Sequence, residues 1–146
     1  MIGLLQRVSR ASVTVAHTTI AQIDAGILVF IGIENTDTVS QAERLIERLL
    51  NYRVFADQQG KMNHSLMDIH GALLLVPQFT LVADTHKGTR PSFSCAAPAS
   101  LGLELFQYCV AHAQQCYANV AAGQFAADMQ VELLNDGPVT FWLQVS

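Results

Sequence analysis

The sequence predicts a single α+β domain over residues 1–146, built on a largely antiparallel sheet or barrel with two main helices. Three observations carry that prediction. A chain of 146 residues fits one hydrophobic core. Many apolar, strand-like runs are joined by only two stretches of helical periodicity, and both stretches fall between strands. No internal repeat, low-complexity tract or linker divides the chain.

Met1-Ile2-Gly3-Leu4-Leu5 lacks a basic start and meets Gln6 and Arg7 before an apolar stretch develops, so it reads as an opening strand and not a leader. Alternation in Ser12 to Ala16, the turn at Ile20 to Ile23, and the run Ile27 to Ile31 after Gly26 give three early strands. From Thr38 to Tyr52, Ala42, Leu45, Ile46, Leu49 and Leu50 recur at helical spacing opposite Glu43, Arg44, Glu47 and Arg48, with Thr38 or Ser40 as cap. Arg53 to Asp57 reads as a strand ending in the Asp57 to Gly60 turn, and Ala72 to Ala83 as a long, mostly buried strand. Asp84 to Ser100, with Gly88, Pro91 and Pro98, is a loop of unusual length, and such loops often carry function. A second helix is expected from Pro98 or Ala99 to Ala121, closing at Gly123, followed by two strands on either side of Asn135 to Thr140.

Composition narrows the class. Hydrophobic residues make up 51% and charged residues 14% of the chain, more apolar surface than a monomer comfortably exposes, which favours an oligomer. The apolar runs Ala25 to Ile33 and Gly71 to Val76 fall short of the roughly 20 residues that span a bilayer. Cys95, Cys109 and Cys116 are odd in number and lack metal-pair spacing, so buried reduced thiols and a cytoplasmic location are expected. A net charge of −4 argues against a broad basic surface for nucleic acid but leaves room for a small footprint. Local basic clusters lie at Arg7 with Arg10, at Arg44, Arg48 and Arg53, and at His86, Lys87 and Arg90.

The five histidines are scattered, and there is no HExxH, G-x-S-x-G, P-loop or G-x-G-x-x-G pattern, so chemistry without metal or cofactor is expected. Two segments stand out. Pro77-Gln78-Phe79-Thr80-Leu81 closes an apolar run, and Asn135-Asp136-Gly137-Pro138-Val139-Thr140 separates two others. Asn, Asp and Gly between strands ordinarily make a hairpin, but Pro138 has no N–H for the first ladder position. A turn so restricted could aim backbone carbonyls at something. Thr80 is the available side-chain nucleophile, yet no His, Lys or carboxylate stands beside it in sequence, so it reads as a β-branched strand residue before a nucleophile. The N–H groups of Gln78, Phe79 and Thr80 could instead form an oxyanion pocket for ester hydrolysis.

Together the two segments resemble the paired signatures of the D-aminoacyl-tRNA deacylases, also called D-tyrosyl-tRNA deacylases. The resemblance runs end to end through Leu5 to Val8, Ala11 to Val15, Gly60 to Asn63, Arg90 to Phe93 and Phe125 to Met129. It implies a barrel-like homodimer in which Gly137 and Pro138 of one chain, joined by a cis bond, enter a pocket built around Gln78, Phe79 and Thr80 of the other. The implied substrate is the ester between a D-amino acid, or glycine (including glycine mischarged on tRNA-Ala), and the terminal adenosine of tRNA. Gln78, Phe79 and Thr80 would be catalytic; Gly137, Pro138, Arg7 and Met129 would bind substrate and filter chirality. Arg7, expected at the end of the first strand, would brace the partner's turn. The tRNA's own 2′-hydroxyl, or alternatively Thr80, would assist the attacking water. Pro77 departs from the Ser usual in this family. From the residues alone, a non-catalytic tRNA or protein binding module and a purely structural dimer stay open.

Overall fold

The computed structural model describes residues 1–146. The first strand is far longer than its alternating segment: β1 (Ile2–Val15) is a single strand of 14 residues, so the separate opening strand and the Ser12 strand are one element, and Arg7 lies in its middle. β2 (Thr18–Ile23) turns back on its second half, and β3 (Gly26–Gly32) pairs with its first half. Helix α1 (Val39–Asn51) follows, capped by Thr38, whose hydroxyl accepts the Ser40 N–H while the Gln41 side chain accepts the Thr38 N–H. Its five predicted apolar residues are all buried.

The strand expected over Arg53 to Asp57 shrinks to β4 (Phe55–Ala56), paired with β5 (Met62–His64). β6 (Ala72–Pro77) also ends early: Phe79–Val82 is a turn of 3-10 helix, not strand. Pro77 offers no N–H to continue a ladder. The turn packs on Gly32, where a Cβ would stand 2.9 Å from that of Leu81. Helix α2 (Ala99–Cys116) stops well before Ala121, because Val120–Ala122 is taken into the sheet as β7, parallel to β6. The last two expected strands are one, β8 (Gln130–Gln144), antiparallel to β1 along nearly its whole length.

The main sheet runs β2-β1-β3-β6-β7, with β8 on the other side of β1. It is antiparallel among β8, β1, β2 and β3 and parallel across β3, β6 and β7. Curling brings it close to a barrel. One apolar cluster, including Val8, Val13, Ile23, Leu28 and Leu74, fills the curl; a larger one, including Leu5, Leu73, Leu75, Leu45, Leu49 and Phe106, lies between the sheet and the two helices. At the start of β1 the Met1 amine is buried and donates to Glu34, Asp37 and the Val145 carbonyl at 2.6, 2.6 and 2.9 Å, tying β1 to the end of β8. No helix is long and apolar enough to cross a membrane. Of the three free cysteines only Cys109 is buried; Cys95 and Cys116 are exposed, because one sits in the long loop and the other on the last turn of α2.

Candidate active site

The first signature lies where β6 ends. Gln78 donates its N–H to the Ile31 carbonyl at 2.8 Å, so that group is spent on the sheet and cannot serve an oxyanion. Phe79 and Thr80 open the 3-10 turn, where N–H groups have no intrahelical acceptor, and Leu81 is the first residue to bond back, to the Gln78 carbonyl. Two adjacent donors thus stand at a strand end. The Thr80 hydroxyl donates to Gln78 Oε1 at 2.8 Å.

Beside this turn opens a cavity of about 560 Å³, lined by Phe30, Val76, Pro77, Gln78, Phe79 and the segment Phe125 to Met129 among others. Met129 therefore joins Gln78 and Phe79 in lining one cavity, although it lies 50 positions after Phe79. Its sulfur accepts the Gln124 N–H at 3.4 Å, which holds the segment in place. Phe79 is 62% exposed, and its ring meets that of Phe93 at 5.2 Å between centroids. Phe93 was visible in the sequence only as part of a matching segment, with no role; an exposed aromatic three residues after Arg90 is the signal it gave.

Gly137 and Pro138 lie elsewhere. The Gly137-Pro138 bond is cis, and Gly137 has φ +128°, a conformation that L side chains rarely adopt. A Cβ there would stand 2.9 Å from Val139 Cγ2 and 3.0 Å from Arg7 Nη2, so the chain's own packing demands glycine before any substrate is considered. The turn is a bulge within β8, flanked by the pairs Val8 with Asn135 and Gln6 with Thr140. Arg7, expected to brace a partner's turn, makes its contacts here with the turn of its own chain. Its Nε donates to the Asp136 carbonyl at 3.0 Å and stands 3.4 Å from Asp136 Oδ2, while Nη1 donates to the Val54 carbonyl at 2.6 Å. Val54 gave no sequence signal, because it acts through a main-chain oxygen.

One chain does not unite the two clusters. The register sets Arg7 opposite Ile27 and Ile27 opposite Leu73, while Pro77 lies further along β6. At about 3.3 Å per residue and about 4.8 Å between strands, the turn and the Gln78 segment are on the order of 15 Å apart or more.

Residues 4–144 match the family described as D-Tyr-tRNA(Tyr) deacylase. The chain is 61% identical over 145 residues to a D-aminoacyl-tRNA deacylase from Nitrosococcus oceani, covering 99% of this chain and 94% of that protein. The chain belongs to the D-aminoacyl-tRNA deacylase family. A family member from Pseudomonas putida is 60% identical over 99% of this chain and all of its own length. Among solved structures, the c-Myc DNA unwinding element binding protein matches with a TM-score of 0.95 and 38% identity, covering 100% of this chain and 99% of that one. A structure described as a probable eukaryotic D-amino acid tRNA deacylase matches with a TM-score of 0.86 at 16% identity, covering 99% of this chain and 98% of that one, which speaks to fold alone. As a member of the D-aminoacyl-tRNA deacylase family, the chain is an ester hydrolase.

Proposed function

We propose that the protein hydrolyses the ester of D-aminoacyl-tRNA in the cytoplasm, releasing free D-amino acid and tRNA, and accepts glycyl-tRNA as well. The observation that carries this reading is the pair of N–H groups on Phe79, which lines the cavity, and on Thr80, the next residue of the same turn. They suit the oxyanion that forms when water attacks an ester carbonyl, and such donors are worth about 3–4 kcal/mol each. The leaving oxygen is the 3′-oxygen of the terminal adenosine. The neighbouring 2′-hydroxyl assists the water, since Thr80 has no base beside it. No metal or cofactor is needed for these steps.

The chiral filter is read as a cross-subunit device. The Gly137-Pro138 turn of one copy enters the other's cavity, its carbonyls receiving the substrate's α-amino group and its rigidity leaving no room for an L side chain. Two features support this. The turn and the cavity of one chain are too far apart to act together. An apolar row also leads to the cavity: Trp142, Leu4, Phe30 and Val76 are register partners across β8, β1, β3 and β6, and directly paired residues share a face of the sheet. Its outer end, Trp142, is 51% exposed, and a second copy would cover it.

Deacylation of D- and L-aminoacyl-tRNA in the presence of a chelator tests the reading. D-aminoacyl-tRNA should be lost and L-aminoacyl-tRNA spared. A protein that binds tRNA without hydrolysing the ester would be a binding module instead.

A further inference from the structure

We propose that Lys87 and Arg90 hold backbone phosphates of the unpaired 3′ end of the tRNA. The inference rests on the deacylase reading and adds the surface by which the polynucleotide, as distinct from its acyl end, is gripped.

The cations of this chain are mostly committed. Of eight lysines and arginines, four bond main-chain carbonyls through their guanidinium groups and a fifth faces a carboxylate on the surface. Arg7 bonds the Asp136 and Val54 carbonyls, Arg44 the Ser146 carbonyl, Arg48 the Gln144 carbonyl and Arg53 the Asn63 carbonyl, while Arg10 lies 3.9 Å from Glu132. Lys61, Lys87 and Arg90 have no side-chain partner. Two of these three share one short loop.

That loop is closed at its base, where Asp84 and Ser92 exchange both backbone hydrogen bonds at 2.8 and 3.0 Å. Residues 85–91 between them carry His86, Lys87 and Arg90 and no acid, and all are exposed. At the base the Asp84 carboxylate accepts the His86 N–H at 2.9 Å. Both ends of the loop are fastened to the candidate site. Asp84 follows the 3-10 turn that offers the Phe79 and Thr80 N–H groups, and Phe93 follows Ser92 to place its ring against Phe79. Seven residues cannot carry the main chain of a tip beyond about 14 Å from the base. Uncommitted positive charge is therefore concentrated within a few nucleotides of where the ester must lie, on a protein whose net charge is −4. An exposed aromatic pair beside a cationic strip suits a single strand, whose bases are free to stack, better than a duplex. Concentrated at the 3′ end, such a contact lets an acidic protein hold tRNA without a basic face.

The test measures kcat/KM against salt for D-aminoacyl-tRNA and for D-aminoacyl-adenosine, which has no phosphate, using wild type, the double variant K87A/R90A and the charge-preserving K87R/R90K. Two lost contacts to a single strand should flatten the slope of log kcat/KM against log salt on tRNA by about 1.4, so between 50 and 200 mM the double variant should lose about sevenfold less than wild type. Its rates on D-aminoacyl-adenosine should equal wild type, and K87R/R90K should keep the wild-type slope on tRNA. An unchanged slope for K87A/R90A would overturn the proposal, as would an equal loss on both substrates. Wild-type protein inactive on both substrates would instead overturn the deacylase reading, and the proposal with it.

Discussion

The Thr80 hydroxyl donates to the side-chain oxygen of Gln78 across 2.8 Å, so its proton rests on an amide, a group too weakly basic to remove it. Loss of one neutral hydrogen bond costs about 0.5–1.5 kcal/mol, so Thr80→Ala should stay within about tenfold of wild type. Removing the 2′-hydroxyl of the terminal adenosine should nearly abolish turnover. Single-turnover rates on both substrates decide, and the reverse pattern would make Thr80 the nucleophile.

Arg7 spans two main-chain carbonyls with one planar group, a geometry that a lysine cannot copy. Hydrogen bonds from a charged donor are worth about 1.5–3 kcal/mol each, so both Arg7→Ala and Arg7→Lys should lower D-aminoacyl-tRNA hydrolysis by tenfold or more and weaken discrimination between D and L substrates. The salt slope for tRNA should not move. A slope flatter by about 0.7 with selectivity intact would mark a phosphate contact instead.

Gly137→Ala places a methyl group against Val139 and Arg7 in a conformation with φ +128°. Such strain costs on the order of 1–3 kcal/mol, enough to shift the turn without unfolding a domain. D-aminoacyl-tRNA hydrolysis should fall sharply while circular dichroism and sedimentation match wild type. Retained activity would show that the turn only links two halves of a strand.

Trp142→Glu puts a charge at the exposed end of the row that leads to the cavity. Sedimentation should report a monomer and deacylation should be lost with it. An active monomer would refute the cross-subunit filter.

Cys109 is fully buried against Met1, and burial pushes its thiol up to about 12. A disulfide reagent at pH 8 should therefore titrate Cys95 and Cys116 in the folded protein and reach the third thiol only in denaturant. The folded state holds this proton more tightly than the unfolded chain, so the stability it contributes is complete below about pH 9 and declines as pH rises towards 12.

Elements set by local pattern were legible. Helix α1 was found with its cap because its apolar stripe and Thr38 act within a few residues. Three misreadings share a different cause. Phe79 to Val82 has strand composition, but Pro77 has no N–H to extend the pairing with β7, which stops at Leu75, and Gly32 on another strand makes room for a tight turn. Val120 to Ala122 continues the helical pattern of α2, yet Leu73 takes the Asn119 carbonyl and draws the segment into the sheet. The two halves of β8 read as two separate strands because nothing local says that both pair with β1 in one continuous element. At the site, Gln78, Phe79 and Met129 were singled out and do share a cavity, but the commitment of the Gln78 N–H to Ile31 and the hold of Val54 on Arg7 are main-chain contacts between distant segments, which leave no mark on residue type.

The Asn135 to Pro138 bulge is carried on a strand clamped to β1 on both sides. Inserting or deleting a residue in it would slip one half of β8 out of step and turn that half's core side chains towards solvent. Its length is therefore frozen by the architecture. Descendants of this protein that come to accept other acyl groups must do so by exchanging side chains on the cavity wall, at positions such as Pro77 and Met129, where change can proceed one residue at a time.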